Sequence, residues 1–108
     1  MYGMTDLEIR LLNTLFARQK EIEQVILYGS RAKGTHKPFS DVDITLLGYS
    51  LNRSHLNRLS AEIDESTLPY RFDISIFSKL TNPALIEQIE QTGVVLYRRG
   101  YDAVVAEN

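Results

Sequence analysis

The chain has 108 residues, of which 44% are hydrophobic, and a formal net charge of −2. These values fit one compact domain over residues 1–108 and give no electrostatic reason to expect nucleic-acid binding. The sequence has no cysteine, which excludes disulfides, thiolate metal ligands and a cysteine nucleophile. It also lacks a signal peptide and an apolar run of about 18 residues that could span a membrane, so we expect a cytoplasmic protein.

The first predicted elements are a helix and a buried strand. Thr5 and Glu8 have the spacing of a capping box, and the leucines that follow recur at helical intervals. These features predict a helix from about residue 5 to residue 20. The short apolar run over residues 25–28 ends at Gly29 and predicts a buried strand.

The middle of the chain predicts a strand, a helix and a second strand. Residues 41–47 alternate between apolar and polar side chains, which is typical of a strand with one core face. Asn52 or Ser54 can cap a helix that follows. Residues 71–77 alternate again and predict another strand with one polar face.

The last third predicts a helix and a final strand. Asn82 followed by Pro83 is a strong helix start, and Gly93 is a typical helix end. Residues 94–97 form a last short apolar run. The tail over residues 98–108 has little pattern, and we expect it to be loose.

Three aspartates fall on the polar faces of the predicted strands. Asp41 and Asp43 are two residues apart, so they share one face of a strand, and Asp73 lies on a later strand. Two such charges about 4 Å apart repel by about 1 kcal/mol in water and about 4 kcal/mol near a protein surface. A divalent cation removes this repulsion, because carboxylate oxygens are natural ligands of Mg²⁺. If Asp73 comes from a neighbouring strand, the three carboxylates can bracket two metal ions for phosphoryl transfer.

A candidate phosphate-binding turn precedes the aspartates. Gly29 permits close approach of a phosphate to the backbone, and Ser30 can donate a hydroxyl hydrogen bond. Arg31 and Lys33 add positive charge, and Ser40 can cap or orient the strand that carries the carboxylates. The alternative interpretation is that Arg31 and Lys33 are solvated residues of a surface turn. Asp41 and Asp43 could likewise be solvated carboxylates on an exposed edge strand.

Together these residues resemble the signature of the polymerase-beta-like nucleotidyltransferase superfamily. The resemblance is carried by Gly29-Ser30, Gly34, Ser40-Asp41-Val42-Asp43 and the later Asp73, and it extends over residues 22–97. Within this superfamily the segment GSRAKGTHKPFSDVDI is most similar to the minimal nucleotidyltransferases. These are small bacterial or archaeal proteins often found beside a helical HEPN-domain partner.

The resemblance implies an α+β fold, a mixed β-sheet with helices packed on one side. It also implies that Gly29 and Ser30 hold the nucleotide phosphates, that Asp41 and Asp43 bind metal, and that Asp73 completes the site as the base. Larger members of the superfamily carry an added helical domain that helps to hold the base or the acceptor. Acceptor recognition by this chain would then come from a second copy or from another protein.

Three functions are open at this point. The leading hypothesis is an enzyme that uses two Mg²⁺ ions, or Mn²⁺, to transfer AMP from ATP to a hydroxyl of a HEPN-type partner as an antitoxin. The second is an antitoxin-like subunit that acts by binding, with weak catalysis or none. The third, an antibiotic-modifying nucleotidyltransferase, is disfavoured because we expect no second domain here, and such a domain would supply the acidic wall that holds a polycationic drug.

Two histidines and two aromatic residues are further candidates for a role at the site. His36 and His55 are expected to be bystanders, and Phe39 and Tyr49 could cover a nucleobase.

Overall fold

The structure, a computed structural model, describes residues 1–100. The helices are α1 (Asp6–Ala17), α2 (Ser30–Lys33), α3 (Arg53–Asp64) and α4 (Pro83–Thr92). The strands are β1 (Gln24–Tyr28), β2 (Val42–Leu47), β3 (Phe72–Ile76) and β4 (Val94–Arg98), and a short 3-10 helix covers Phe77–Lys79. Each predicted helix and strand is therefore present.

The predicted helix caps form. The Thr5 hydroxyl accepts a hydrogen bond from the backbone N–H of Glu8 (3.1 Å), and the Glu8 carboxylate accepts one from the N–H of Thr5 (2.8 Å). The side chains of Asn52 and Asn82 likewise accept hydrogen bonds from backbone N–H groups in the first turns of α3 and α4, and in α3 His55 completes a capping box. Helix α1 ends at Ala17 rather than near residue 20, because the next two amides bond three residues back and tighten the last turn.

The four strands form one mixed sheet in the order β3-β2-β1-β4. Strand β1 is antiparallel to both β2 and β4, and β2 is parallel to β3. The parallel pair requires a crossover, which α3 supplies. The predicted α+β class with a mixed sheet is confirmed.

The core lies between one face of the sheet and the helices α1 and α3. Residues that alternate along the strands supply the sheet side of this core, and the buried faces of α1 and α3 supply the other. Its members include Val25, Leu27, Val42, Ile44, Leu46, Ile76, Leu12, Leu15, Phe16, Leu59 and Ile63. These two helices pack on one side, as predicted.

Helix α4 is placed differently. It contacts β1, and the glycine that ends it, Gly93, lies against the side chain of Ile26. Ile26 alternates with Val25 and Leu27, so it belongs to the face opposite the core. Helix α4 therefore lies on the opposite face of the sheet from α1 and α3, and the prediction of helices on one side does not hold for it.

The end of the described chain is held more firmly than predicted. Arg98 is the last residue of β4. The N–H of Arg99 donates to the carbonyl of Glu23 (2.8 Å), and its guanidinium donates to the carbonyl of Lys20 (2.7 Å). Residues 98 and 99 of the predicted loose tail are therefore held by the sheet and by hydrogen bonds, whereas residues 101–108 lie outside the described residues. Among the helices of residues 1–100, none has the length and hydrophobicity that crossing a membrane requires.

Candidate functional site

Two of the three aspartates meet across the parallel strands. Asp43 of β2 is the register partner of Asp73 of β3, and on its other side Asp43 is opposite Tyr28 of β1. The neighbours of Asp43 along β2, Val42 and Ile44, point into the core. Tyr28, Asp43 and Asp73 therefore form a row across three strands on the face away from α1 and α3.

A second row of polar side chains lies next to the first. Thr45 is the register partner of Ser75, and the Ser75 hydroxyl donates to the Thr45 hydroxyl (2.9 Å). Thr45 is fully buried. This pair ties β2 to β3 just beyond the aspartates and so fixes the strand register on which their proximity depends.

Negative charge is concentrated at this row. Burial raises the pKa of Asp43, and the negative charges of Asp73 and Asp41 raise it further, while the positive charge of Arg31 opposes the rise. Burial also raises the pKa of the Tyr28 phenol; a hydrogen bond with Ser75 opposes this rise, and the charges of Asp73 and Asp43 add to it. This face of the sheet thus favours a bound cation over a further negative charge.

The structure does not assemble the three aspartates into a complete metal site. Asp41 lies just before β2 and is exposed, Asp43 is half-buried, and Asp73 is exposed. Within residues 1–100 no three His, Cys, Asp or Glu side chains are grouped so that they could hold one metal ion. The three carboxylates fit Mg²⁺ in two respects. Carboxylate oxygens are its preferred ligands, and the charges of Asp41 and Asp73 both act on Asp43.

Gly29 brings the predicted phosphate turn directly beside Asp43. Its backbone angles, φ 75° and ψ −153°, lie in a region that only glycine adopts readily. A Cβ atom at this position would lie 2.5 Å from Oδ2 of Asp43. Ser30, which follows, is half-buried and begins α2. The turn and the carboxylates are therefore neighbours in space, although 14 positions separate Gly29 and Asp43 in the sequence.

Helix α2 is only a single turn long. The prediction that its free N–H groups face a phosphate therefore rests on local amides and the Ser30 hydroxyl, since four residues make little helix dipole. Lys33 is exposed at the end of this turn. It remains a candidate for phosphate contact.

Arg31 has a different place from the one predicted. Its side chain is buried, with 1% of its surface exposed, and its guanidinium donates to the backbone carbonyls of Ser40, Asp41 and Tyr2. Direct phosphate contact by Arg31 does not fit this structure, because the positive group is enclosed and occupied. The sequence pattern missed this since a basic residue in a turn is usually exposed.

Ser40 orients the segment before β2, as the sequence suggested. Its hydroxyl accepts a hydrogen bond from the N–H of Lys37 (2.8 Å), and its carbonyl accepts the Arg31 guanidinium (2.8 Å). No contact in the structure tests its predicted role in nucleotide binding.

The histidines and exposed aromatic residues lie outside the carboxylate row. Nδ1 of His55 accepts from the N–H of Asn52 in the cap of α3, and His36 lies against Gly3. Phe39 and Tyr49 are almost fully exposed. Tyr28, in contrast, shares the row, and a sequence-based analysis could have found it only by knowing the register of β1 against β2.

Comparisons with known proteins show the family of the chain and its shared fold. Residues 11–102 match the family model described as polymerase beta, nucleotidyltransferase. Among solved structures, a toxin-antitoxin with AMP-PNP is 20% identical, with a TM-score of 0.64 over 91% of this chain and 82% of that one. The toxin-antitoxin MntA-HepT is 18% identical, with a TM-score of 0.63 over 95% and 82%.

A third solved structure extends the comparison to another source. A putative nucleotidyltransferase from Sulfolobus solfataricus is 16% identical, with a TM-score of 0.56 over 89% of this chain and 81% of that one. At these identities the solved structures show a shared fold. No curated protein matches the chain significantly.

Proposed function

Because the chain belongs to the polymerase beta nucleotidyltransferase family, we propose that it transfers AMP from ATP to a hydroxyl group of a partner protein in the cytoplasm. The observation that carries the proposal is the position of Asp43, which lies between its register partner Asp73 and the backbone of Gly29. A nucleotide whose phosphates lie at the Gly29 turn would place its reacting phosphorus beside the carboxylates.

The proposed step exchanges one phosphorus–oxygen bond for another. The acceptor hydroxyl oxygen attacks the α-phosphorus in line, the bond from that phosphorus to the bridging oxygen breaks, and pyrophosphate leaves. Asp73 accepts the hydroxyl proton, a role that suits an exposed carboxylate next to the site. The protein contributes mainly position and charge, as phosphoryl transfer requires.

We assign the metal ligands to Asp41, Asp43 and Asp73, for two Mg²⁺ ions with Mn²⁺ as a substitute. The support is the negative charge that accumulates on Asp43 from its two neighbours. When bound, the ions would neutralise charge on the phosphate oxygens and on the attacking and leaving oxygens. The Ser30 hydroxyl and the Lys33 ammonium would hold the remaining phosphates from the turn side.

The proposed acceptor is a tyrosine, serine or threonine hydroxyl of a HEPN-type protein, with this chain as its antitoxin. Two observations support this. Similar folds occur in structures named as toxin-antitoxin complexes, one of them with AMP-PNP. In addition, Asp41 and Asp73 are exposed, so a macromolecular hydroxyl could reach them. The transferred group would add charge and bulk to the partner's active region and so block it.

The test mixes this chain, a candidate HEPN-type protein from the same genome, ATP and Mg²⁺, and weighs both proteins by intact mass spectrometry. We expect the partner to gain the mass of one AMP with the parent chain and with the control Asp64→Asn, whose carboxylate is exposed on α3. With Asp73→Asn the mass gain should disappear while ATP still binds. A tight complex that forms without any mass gain, even with the parent chain, would overturn the proposal and favour an antitoxin that acts by binding alone.

A further inference from the structure

Within the described residues, Arg31 is a buried cation that has no carboxylate oxygen within 4.0 Å of its side-chain nitrogens. Among residues 1–100 the ion pairs within 4.0 Å join Arg18 to Glu62 and His55 to Glu21, so the Arg31 charge is held by carbonyl oxygens instead. Burying a guanidinium in this way is costly, and an apolar side chain of similar length could fill the space. The presence of Arg31 here therefore points to a role for the hydrogen bonds that its guanidinium donates.

The guanidinium joins segments that are far apart in the sequence. Nη2 donates to the carbonyl of Ser40 (2.8 Å), Nε donates to the carbonyls of Ser40 (3.2 Å) and Asp41 (3.3 Å), and Nη1 donates to the carbonyl of Tyr2 (2.8 Å). Its central carbon lies 4.9 Å from the centre of the Tyr70 ring, which covers one face of the group. The planar fork of arginine suits this set of acceptors, and the single ammonium of lysine does not.

Tyr70 links the same segments from the other side. Its hydroxyl donates to the carboxylate of Glu8 (2.6 Å) and lies 3.2 Å from the carbonyl of Gly3. The residue after it, Arg71, accepts a hydrogen bond at its carbonyl from the N–H of Val42 (2.9 Å), between the two aspartates. The start of the chain, the turn before β2 and the turn before β3 are therefore tied together around Arg31.

This arrangement sets the distance between the two halves of the site. Arg31 is the second residue of α2, which begins immediately after Gly29, and its side chain fixes the backbone of Asp41, two residues before Asp43. We propose that Arg31 is a positioning residue for nucleotidyl transfer, an inference that rests on the proposed function. Arg31 holds the strand that carries the carboxylates in place against the turn at Gly29 and does not touch the nucleotide.

The first test compares Arg31→Lys with the parent and with a matched control, Arg10→Lys, at an exposed position of α1. We expect Arg31→Lys to lower kcat by about 10- to 100-fold and to raise the Mg²⁺ concentration needed for half-maximal rate, the usual scale when the support of a metal ligand is lost. The control should match the parent. A loss of rate that only follows the fraction of folded protein, with unchanged Mg²⁺ and ATP saturation, would overturn the inference.

The second test does not depend on catalysis. Hydrogen exchange at the amides of residues 41–43 should become about tenfold faster or more in Arg31→Lys, while the amides of α3 keep their rates. If the parent shows no transfer, the proposed function fails, and this exchange result still decides whether Arg31 fixes the strand. Unchanged exchange at residues 41–43 would contradict it.

A milder variant covers the case in which Arg31→Lys does not fold. Tyr70→Leu leaves every guanidinium donor in place but removes both the aromatic face beside it and the hydroxyl bonds to Glu8 and Gly3, so Tyr70→Phe, which keeps the ring and loses only the hydroxyl, is its control. We expect the same local increase in exchange at residues 41–43, with a smaller loss of kcat. A Tyr70→Leu protein that exchanges and reacts like the parent would overturn the inference.

Discussion

Gly29 and Asp43 are packed so closely that the space for a side chain at position 29 is taken by the Asp43 carboxylate, 2.5 Å from where a Cβ would lie. The contact makes the phosphate turn and the carboxylate strand one unit. A substitution at Gly29 should therefore displace the Asp43 carboxylate, and a substitution at Asp43 should alter the turn. Two independent surface features would not affect each other in this way.

Substitution of Gly29 tests this contact. Gly29→Ala should lower the free energy of unfolding by about 1–3 kcal/mol, because φ and ψ are unfavourable for any side chain, and it should also displace the Asp43 carboxylate. Gly34→Ala is the control, since Gly34 has a similar φ of 77° but no atom within 4 Å of an added Cβ. Urea unfolding and ATP binding measure both effects. Equal loss of ATP binding in the two variants would show that the contact with Asp43 does not matter.

Removal of the Asp43 charge should stabilise the metal-free protein. The folded-state pKa of Asp43 is raised, so this group stabilises the fold at low pH, and that stability is lost as pH rises through the raised pKa. At neutral pH the charged carboxylate is therefore unfavourable, and Asp43→Asn should raise the unfolding free energy by on the order of 1 kcal/mol.

The same variant should lose the response to metal. Millimolar Mg²⁺ with ATP should raise the melting midpoint of the parent, because a ligand that binds only the folded state stabilises it, and should not shift Asp43→Asn. Glu90→Gln, an exposed change on α4, is the control. A metal-free Asp43→Asn protein that melts below the parent would contradict the assigned repulsion.

Glu8 should give the opposite pH dependence. The hydrogen bond from Tyr70, followed by that from the Thr5 N–H, holds the pKa of Glu8 below its ordinary value. A lowered folded-state pKa stabilises the protein above the ordinary value of 4.5, and this stability is lost as pH falls through the lowered value. Glu8→Gln should thus be less stable than the parent near pH 7, and the difference should shrink near pH 3. Denaturant unfolding at both pH values measures this, and a difference that grows at low pH would contradict it.

Ser30 should contribute to nucleotide binding without supporting the fold. Ser30→Ala removes one hydroxyl donor to a charged phosphate, which should weaken ATP binding by about 1.5–3 kcal/mol. Ser78→Ala, at an exposed position of the short 3-10 helix, is the matched control. ATP affinity is measured by calorimetric titration. Equal affinity in the parent, the variant and the control would contradict a role for the Gly29 turn in nucleotide binding.

Local signals predicted most of the fold. Thr5, Asn52 and Asn82 cap their helices as the sequence indicated, because capping depends on residues within one turn. The alternation over residues 41–47 also placed Asp43 on the polar face correctly, because neighbouring side chains of a strand point to opposite faces of the sheet.

Contacts between distant segments were less predictable. The burial of Arg31 depends on acceptors at Tyr2, Ser40 and Asp41, and the part played by Tyr28 depends on the register between β1 and β2. No pattern within a short window contains that information. The pairing of Asp43 with Asp73 was anticipated only on the condition that their strands are neighbours, and the parallel register now meets that condition.

The central claim is that the Gly29 turn and the aspartate row bind metal and nucleotide together. Mn²⁺ is paramagnetic and broadens the NMR signals of nearby amides, so its position can be read directly with a non-hydrolysable ATP analogue present. We expect broadening centred on Gly29, Ser30, Asp43 and Asp73, and we expect it to disappear when Asp41 and Asp43 are both replaced by Asn. Broadening centred elsewhere, or unchanged in that double variant, would contradict it.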